Sequence, residues 1–421
     1  MGLFDGKHGL YILKTFLSRY WKQGLIVFLA LYSLPVVAYI IMGTLSPIGA
    51  KDFHQFWYAG QFILLGRDPY QAYFAGAELP MRQPGLEVIP SNTPPMLLVL
   101  SLFSLLTWTA AKLVWLFFDL VLVYMCFRLV EHYLPFSTIS LDRPTKILIL
   151  LIFFDLSPTR IAVENGQTTL FVFALMLMAI LLADRSWLLA GLLLGLALSK
   201  YSVSLPVLLL LLFHRKYRLL IVSVLTQLFG FVSLALVSGN PILMILREYL
   251  ALVISLIDQP GIHLAYLVPG TSLDLLFSGL MTVGVFVPLY FWLVRRRQFI
   301  SRDSGALNFH ILTILMVWTL LVAYHRLYDA LTLLLLVVLV FKSLQRTDVW
   351  NLSARLRTIL VVILGAGLAL LIFPARLPDL FWPPVYDLLN NKVPAMILLV
   401  FLAGLMFLFY RFLNRPWQAG S

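Results

Sequence analysis

The chain has 421 residues, of which 61% are hydrophobic and only 12% charged, and its mean hydropathy is +0.93. A water-soluble domain of this size has no interior large enough for so much apolar surface, so a globular soluble enzyme is excluded. The formal charge of +12 does not point to nucleic acid, because the basic residues fall in short clusters between apolar runs, where they orient membrane segments.

Apolar runs long enough to cross hydrocarbon recur from Gly24 almost to the C-terminus. They do not alternate apolar with polar residues as barrel strands do, so the sequence predicts an all-α polytopic membrane protein. Lys7, Lys14, Arg19 and Lys22 place the N-terminal segment inside, and the first span, Gly24–Leu45, exits to the outer face. No small-residue cleavage site accompanies it, so it reads as a retained span. The single cysteine, Cys126, lies in an apolar run and reads as a packing residue; it permits no internal disulfide.

Residues 46–92 form the longest polar-rich connection, too long for a tight turn and too aromatic for a floppy loop. Within it, "KDFHQFWYAGQFILLGRDPYQAYF" (Lys51–Phe74) predicts a helix along the membrane interface with its rings at headgroup depth. Asp52, beside Lys51 and His54, is either a general base or a loop acid or helix N-cap. Trp57 and Tyr58 are rings on which a sugar face stacks, or ordinary interfacial anchors. Asp68 and Tyr70, around Pro69, read first as a turn or a helix start.

Between Asn92 and Phe213 there are six apolar stretches, while the flanking basic clusters require five crossings. Either Thr93–Thr107 is a shallow or re-entrant helix opened by "TPP", or Trp187–Phe213 is one kinked span. The first solution follows the basic residues: it puts Arg128–Lys146 inside, and "SPTRIAVENGQ" and Lys200 outside. Both give twelve crossings. In "RIAVENGQTTL" (Arg160–Leu170), Asn165-Gly166 marks a turn, and Arg160 and Gln167 either cap helices or face a cavity. Lys200 interrupts "LLLGLALSKYSVSLPVLLLLL", where an ammonium either snorkels or serves a site.

Further on, "YLVPGTSLDLL" (Tyr266–Leu276) predicts a loop and a helix capped by Thr271 or Ser272, with Asp274 in its first turn. In "LVAYHRLYDALTLLL" (Leu321–Leu335), His325 and Arg326 are groups that hold phosphate, next to Asp329, which fixes an imidazole or pairs with Arg326 at a helix start. Spans follow at Leu327–Phe341, Thr358–Phe373 and Val393–Tyr410. No Walker loop, dinucleotide-binding glycine pattern, HExxH or paired CxxC occurs, and the seven histidines show no ligand spacing for a metal.

Taken together, "KDFHQFWYAGQFILLGRDPYQAYF", "SNTPPMLLVLSLFSLL", the run from "ENGQTTLFVF" to "LALSKYSVSLP", and "YHRLYDALTLL" resemble glycosyltransferase family 87 over about Lys51–Leu335. Two positions depart from the family pattern: Thr169 stands where Asn is usual, and Pro206 comes six residues after Lys200 rather than close behind it. The resemblance implies a GT-C-like fold of about twelve transmembrane helices in one membrane domain, 1–421. That domain comprises an outer loop (46–92) with interfacial helices, a core (93–343) and C-terminal helices (344–421). It also implies a plasma-membrane enzyme that takes a sugar, mannose or a related hexose or pentose, from a polyprenyl-phosphate donor. The acceptor is a glycolipid or glycan hydroxyl at the extracytoplasmic face, in the assembly of the cell envelope. By position, Asp52 matches the acid after the first span, the family's candidate catalytic base, while Lys200 and His325, with Arg326 and Arg160, match groups expected near the donor phosphate or sugar. His54, Trp57, Tyr58, Asp68, Tyr70, Gln167 and Asp329 fall to the acceptor or loop side. The resemblance names no certain cofactor; a divalent cation is compatible with the chemistry but has no residue pattern behind it. The competing reading is a transporter or flippase of lipid-linked sugars, with Lys200, Glu164 and His325 at a midplane site.

Overall fold

The computed structural model describes residues 6–46, 49–86, 88–133, 141–256, 261–264, 273–295, 304–345, 354–372 and 388–413. Their regular structure is all helical, with no strand among the described residues. In chain order the first helices are α1 (Gly6–Leu45), α2 (Lys51–Leu64), α3 (Pro69–Phe74), α4 (Pro94–Leu100), α5 (Trp108–Arg128) and α6 (Arg143–Asp155). Then come α7 (Ser157–Asn165), α8 (Thr169–Leu182), α9 (Trp187–Ala197), α10 (Tyr201–Phe213), α11 (Tyr217–Ser238) and α12 (Ile242–Leu256). The last are α13 (Leu273–Arg295), α14 (Ser304–Val322), α15 (Leu334–Gln345), α16 (Ala354–Ile372) and α17 (Val393–Leu413). The caps predicted at Thr271 and Ser272, and the side chain of Asp274, lie outside the described residues.

Among the described residues, five segments are by length and composition long and apolar enough to cross a membrane: Tyr20–Leu45, Trp108–Glu131, Trp187–Phe213, Tyr217–Ser238 and Val393–Tyr410. The pair α7–α8 would add a sixth only if counted as one span, but it is bent by 111°; shorter apolar helices lie at Pro94–Leu105, Leu276–Phe291, Leu307–Val322 and Val361–Ile372. Trp187–Phe213 is not one straight rod. A straight helix of 27 residues would be about 40 Å long. Yet Asp184, just before it, and Lys216, just after it, form an ion pair. The segment therefore folds back on itself. The break is at Leu198–Lys200, a short 3-10 turn, where Lys200 leaves helical geometry with φ −116° and ψ 70°.

Polar contacts gather at the two ends of the bundle. At one end Lys22 meets Asp142 at 2.9 Å, Lys146 meets Glu131 at 2.9 Å, Lys342 donates to the Glu131 carbonyl, Lys216 pairs with Asp184, and His214 bonds Asn308. At the other end Lys112 donates to the Ser46 carbonyl, Gln167 to Asp52, Lys200 to Asp329 and Asn240 to Gln71. Helices α1, α5, α8, α10, α11, α14 and α15 each run from one set to the other. The first set carries the basic clusters of the sequence; the second carries the candidate site residues.

Close packing between α9 and α11 rests on small residues, the usual device where helices meet without a solvent-driven force. A Cβ on Gly191 would stand 2.6 Å from Val222 Cβ and 2.8 Å from the Leu219 carbonyl, so α9 and α11 lie almost backbone to backbone. Gln227 of α11 donates to the Gly195 carbonyl at 2.6 Å, which fixes the two helices parallel.

Helix α2 differs from the surface helix that its aromatic content predicts. Every residue from Asp52 to Ile63 is buried in protein. Phe53 stacks on Trp115 and Trp108 with centroids at 4.7 and 6.0 Å, and Gly60 lets the helix press against Ser101 and Ser104. Trp57 Nε1 donates to the Leu106 carbonyl, and Gln61 to that of Ser104. Neighbouring helices rather than headgroups take the rings, and the buried Asp52, His54, Gln55 and Gln61 find hydrogen-bond partners within the protein.

Candidate active site

Four local features bring the site together. Asp52 lies in the first turn of α2, whose start at Ala50 is left-handed (φ 53°, ψ 44°). Gly166 ends α7 in the left-handed region (φ 67°, ψ 44°), the conformation glycine adopts freely, and so turns Gln167 onto α2. A side chain at Gly166 would also meet Phe53 Cβ at 2.6 Å. Lys200 sits at the fold-back between α9 and α10. Asp329 lies on the 3-10 turn Leu327–Leu333, joined to Arg326 by a reciprocal capping arrangement.

The result is a cavity of about 120 Å³ at the end of the bundle opposite the basic clusters. Asp52, Gln55, Asn92, Gln167, Lys200, Arg326 and Asp329 supply its charged and amide groups, and Phe56, Tyr201, Tyr324 and Tyr328 its rings. The Asp52 carboxylate accepts from Gln167 Nε2 on one oxygen and from Gln55 Nε2 at 3.4 Å on the other. Across the cavity, Asp329 Oδ1 meets Lys200 Nζ at 2.5 Å and accepts from Thr169 Oγ1 at 2.9 Å. Its Oδ2 accepts from the Arg326 backbone N–H at 3.3 Å and meets His325 Nδ1 at 3.1 Å. Lys200 also donates to Thr169 Oγ1 and lies 4.6 Å above the Tyr328 ring.

The charges are arranged with opposite consequences. Burial pushes the Asp329 carboxyl up, but the Lys200 ammonium and the His325 hydrogen bond outweigh it and hold the group well below the usual carboxylate range. Asp329 is therefore a fixed anion that neutralises Lys200. Arg326 donates from Nε to Tyr324 OH at 2.9 Å, and although burial works against its charge, that hydrogen bond and the nearby Asp52 favour it. The site holds two carboxylates, one bound to a cation and one held by two amides. Such an arrangement can take a proton at Asp52 and balance negative charge at Lys200 and Arg326.

Not every predicted residue reaches the cavity. His325 is fully buried one hydrogen bond behind it, positioned against Asp329. Arg160 ties α7 to α1 and α16, donating to Tyr32 OH at 2.9 Å, Ser157 Oγ at 3.0 Å and the Ile372 carbonyl at 2.5 Å. His54 is wholly buried, stacks on Tyr58 and accepts from the Gln83 N–H. Trp57 and Tyr58 are buried too, and Tyr58 OH accepts from the Leu79 N–H at 2.6 Å. Asp68 is the N-cap of α3, accepting from the Tyr70 and Gln71 N–H groups, and Tyr70 OH donates to the Asn92 carbonyl.

Sequence reasoning missed Gln55, Tyr201, Tyr324 and Tyr328 as cavity residues. Gln55 was within reach, since a residue three places after Asp52 shares its helix face. Thr169 is the departure from the family pattern, and it bridges Lys200 and Asp329. Among the described residues no group of three His, Cys, Asp or Glu side chains is placed to hold a metal ion.

The model of glycosyltransferase family 87 matches residues 91–323, more than half of the chain. The chain belongs to glycosyltransferase family 87. It is accordingly a membrane glycosyltransferase, working on a sugar donor and an acceptor. A search of curated proteins finds no match. Within the part matched to family 87 lie Arg160, Gln167, Thr169 and Lys200; Asp52 precedes it, and His325, Arg326 and Asp329 follow it. The cavity of this glycosyltransferase draws on all three parts.

Proposed function

We propose that the chain transfers a sugar from a polyprenyl-phosphate donor to a hydroxyl of a lipid-linked or glycan acceptor at the extracytoplasmic face, with Asp52 as general base. The observation that carries the reading is the shared cavity of Asp52, Lys200 and Arg326, residues far apart in sequence. Asp52, oriented by Gln167 and Gln55, takes the proton of the acceptor hydroxyl as its oxygen bonds to the anomeric carbon. The bond from that carbon to the phosphate oxygen breaks, and its electron pair leaves with the polyprenyl phosphate. Arg326 and Lys200 balance the charge that develops there, with the Lys200–Asp329 pair keeping the ammonium in place.

The distribution of basic residues supports this orientation. Clusters of Lys and Arg stay cytoplasmic, so the cavity at the other end faces outward. In this reading α6 with α7 makes one crossing, the fold-back makes α9 and α10 two, and α4 is shallow; twelve crossings result. Phe56, Tyr201, Tyr324 and Tyr328 provide faces on which a pyranose or an isoprenoid headgroup can rest.

The test is transfer by the purified protein in liposomes supplied with labelled polyprenyl-phosphate sugar and candidate glycolipids. Asp52→Asn is expected to lower the rate by at least about a hundredfold, the lower end of general-base effects, with folding intact. Transfer within a few-fold of the parent, or movement of labelled lipid across the bilayer with no new glycoside, overturns the proposal.

A further inference from the structure

The end of the bundle remote from the active site holds a second cavity of about 280 Å³, walled by Trp187, Arg215, Lys216, Tyr217 and Arg218. Its construction follows from the packing of α9 on α11. Gly191 and Gly195 bring the two helices together in parallel, so both begin at the cavity, and neither start is capped by a side chain. Arg215 takes a left-handed conformation (φ 56°), uncommon for a residue with a side chain, as the chain reverses from α10 into α11.

Three cations are thus concentrated in one concavity, and only one is neutralised: Lys216 pairs with Asp184. Arg215 and Arg218 are exposed and have no side-chain partner among the described residues. Positive charge at a cytoplasmic loop is ordinary, but it does not require a cavity or aromatic walls. Trp187 and Tyr217 are 47% and 54% exposed, the half-wet setting such rings take at a membrane surface. From this point an outward apolar stripe runs along α11, with Ile221, Val224, Leu225 and Leu228 all more than half exposed.

We propose that this cavity seats the phosphate of an anionic phospholipid headgroup from the leaflet on the basic side, with the acyl chains lying along α11. Arginine forks match phosphate oxygens bidentately, and the two open helix starts add N–H donors of the same sign. Basic hollows between membrane helices are suited to such headgroups. The apolar stripe favours a lipid over a free anion. The assignment is independent of the transfer reaction, because the site lies at the other end of the bundle.

The experiment is native mass spectrometry of the full chain released from nanodiscs. Retention of phosphatidylglycerol is compared with that of phosphatidylcholine, with and without millimolar inorganic phosphate. The parent protein is expected to retain one phosphatidylglycerol in preference to phosphatidylcholine. Arg215→Gln with Arg218→Gln is expected to weaken that retention by roughly thirtyfold, the loss of two cations near an anionic surface. The control pair Arg128→Gln with Arg143→Gln, on the same face but outside the cavity, should change it less than about threefold. Equal losses in both pairs would mean diffuse surface attraction and overturn the proposal, as would no loss from the Arg215 and Arg218 pair. Displacement of the lipid by inorganic phosphate alone would also overturn it, by making the site one for a soluble anion.

Discussion

Lys200 and Asp329 offer the sharpest test of how the site is held. Their atoms meet at 2.5 Å, and the side chains are 18% and 4% exposed. Breaking a buried pair by removing one partner typically costs about 3–5 kcal/mol, because a charge is left in a poor solvent. Lys200→Met leaves Asp329 with three donors, Thr169 Oγ1, His325 Nδ1 and the Arg326 N–H, so the expected cost is at the lower end, about 3 kcal/mol. Asp329→Leu leaves an ammonium that reaches partly into the open cavity and is expected to cost about 2 kcal/mol. The double variant removes both charges and is expected to be more stable than the sum of the two by about 1–3 kcal/mol. Thermal unfolding in one detergent, followed by tryptophan fluorescence, ranks the four proteins. The sign of the pH dependence is fixed by the depressed carboxyl of Asp329. Its stabilising contribution is complete above the unfolded carboxylate value, about 3.9, and is lost as the pH falls through the lower folded value. In Lys200→Met the main lowering influence is gone, so that loss should begin at a higher pH than in the parent. Additivity of the two single changes within about 0.5 kcal/mol would refute the coupling. A double variant with parental transfer rate would show that Lys200 has no part in catalysis.

Gly166→Ala puts a Cβ 2.6 Å from Phe53 Cβ and an L side chain in the left-handed region, which together should cost about 2–4 kcal/mol. Because the turn aims Gln167 at Asp52, transfer should fall further than the unfolding temperature alone accounts for. Parental turnover in the folded fraction would refute that role for the turn. Trp57→Phe removes the bond to the Leu106 carbonyl and is expected to lower stability by about 1 kcal/mol while leaving the acceptor KM unchanged. A several-fold rise in KM would place Trp57 at the substrate after all.

The helical class and the apolar segments were legible because hydropathy reports directly on lipid or core exposure. Asp52, Gln167, Lys200 and Asp329, which line one cavity, stood out in the sequence because charged and amide groups beside apolar runs are costly and need a reason. What remained hidden depended on three-dimensional partners. Composition does not say whether an aromatic helix such as α2 meets headgroups or other helices; Gly60, small enough for contact with Ser101 and Ser104, was its quiet signal of burial. Arg160 looked like a donor-site cation, yet its guanidinium is consumed by Tyr32, Ser157 and a carbonyl over two hundred residues away. Tyr324 and Tyr328 enter the cavity only because a 3-10 turn replaces the first turns of the span expected at Leu327–Phe341.

The fold-back at Lys200 explains how an ammonium survives in "LLLGLALSKYSVSLPVLLLLL". Read as one span, the sequence would leave the charge near mid-membrane, with its nearest water many ångströms away along the helix. Folded back, the same residue stands at the end of both arms, among Asp329, Thr169 and the cavity. The arms are 11 and 13 residues long, about 17 and 20 Å, against some 30 Å of hydrocarbon. Two arms of that length are shorter than the hydrocarbon layer, so a turn anchored from the basic end is expected to sit within it. The proposed donor, a phosphate tethered to an isoprenoid chain, would suit a cation at that depth better than a soluble nucleotide-sugar would. Lengthening both arms by one helical turn would lift Lys200 by about 5 Å and part it from Asp329, so transfer should be lost even though every side chain of the cavity is retained.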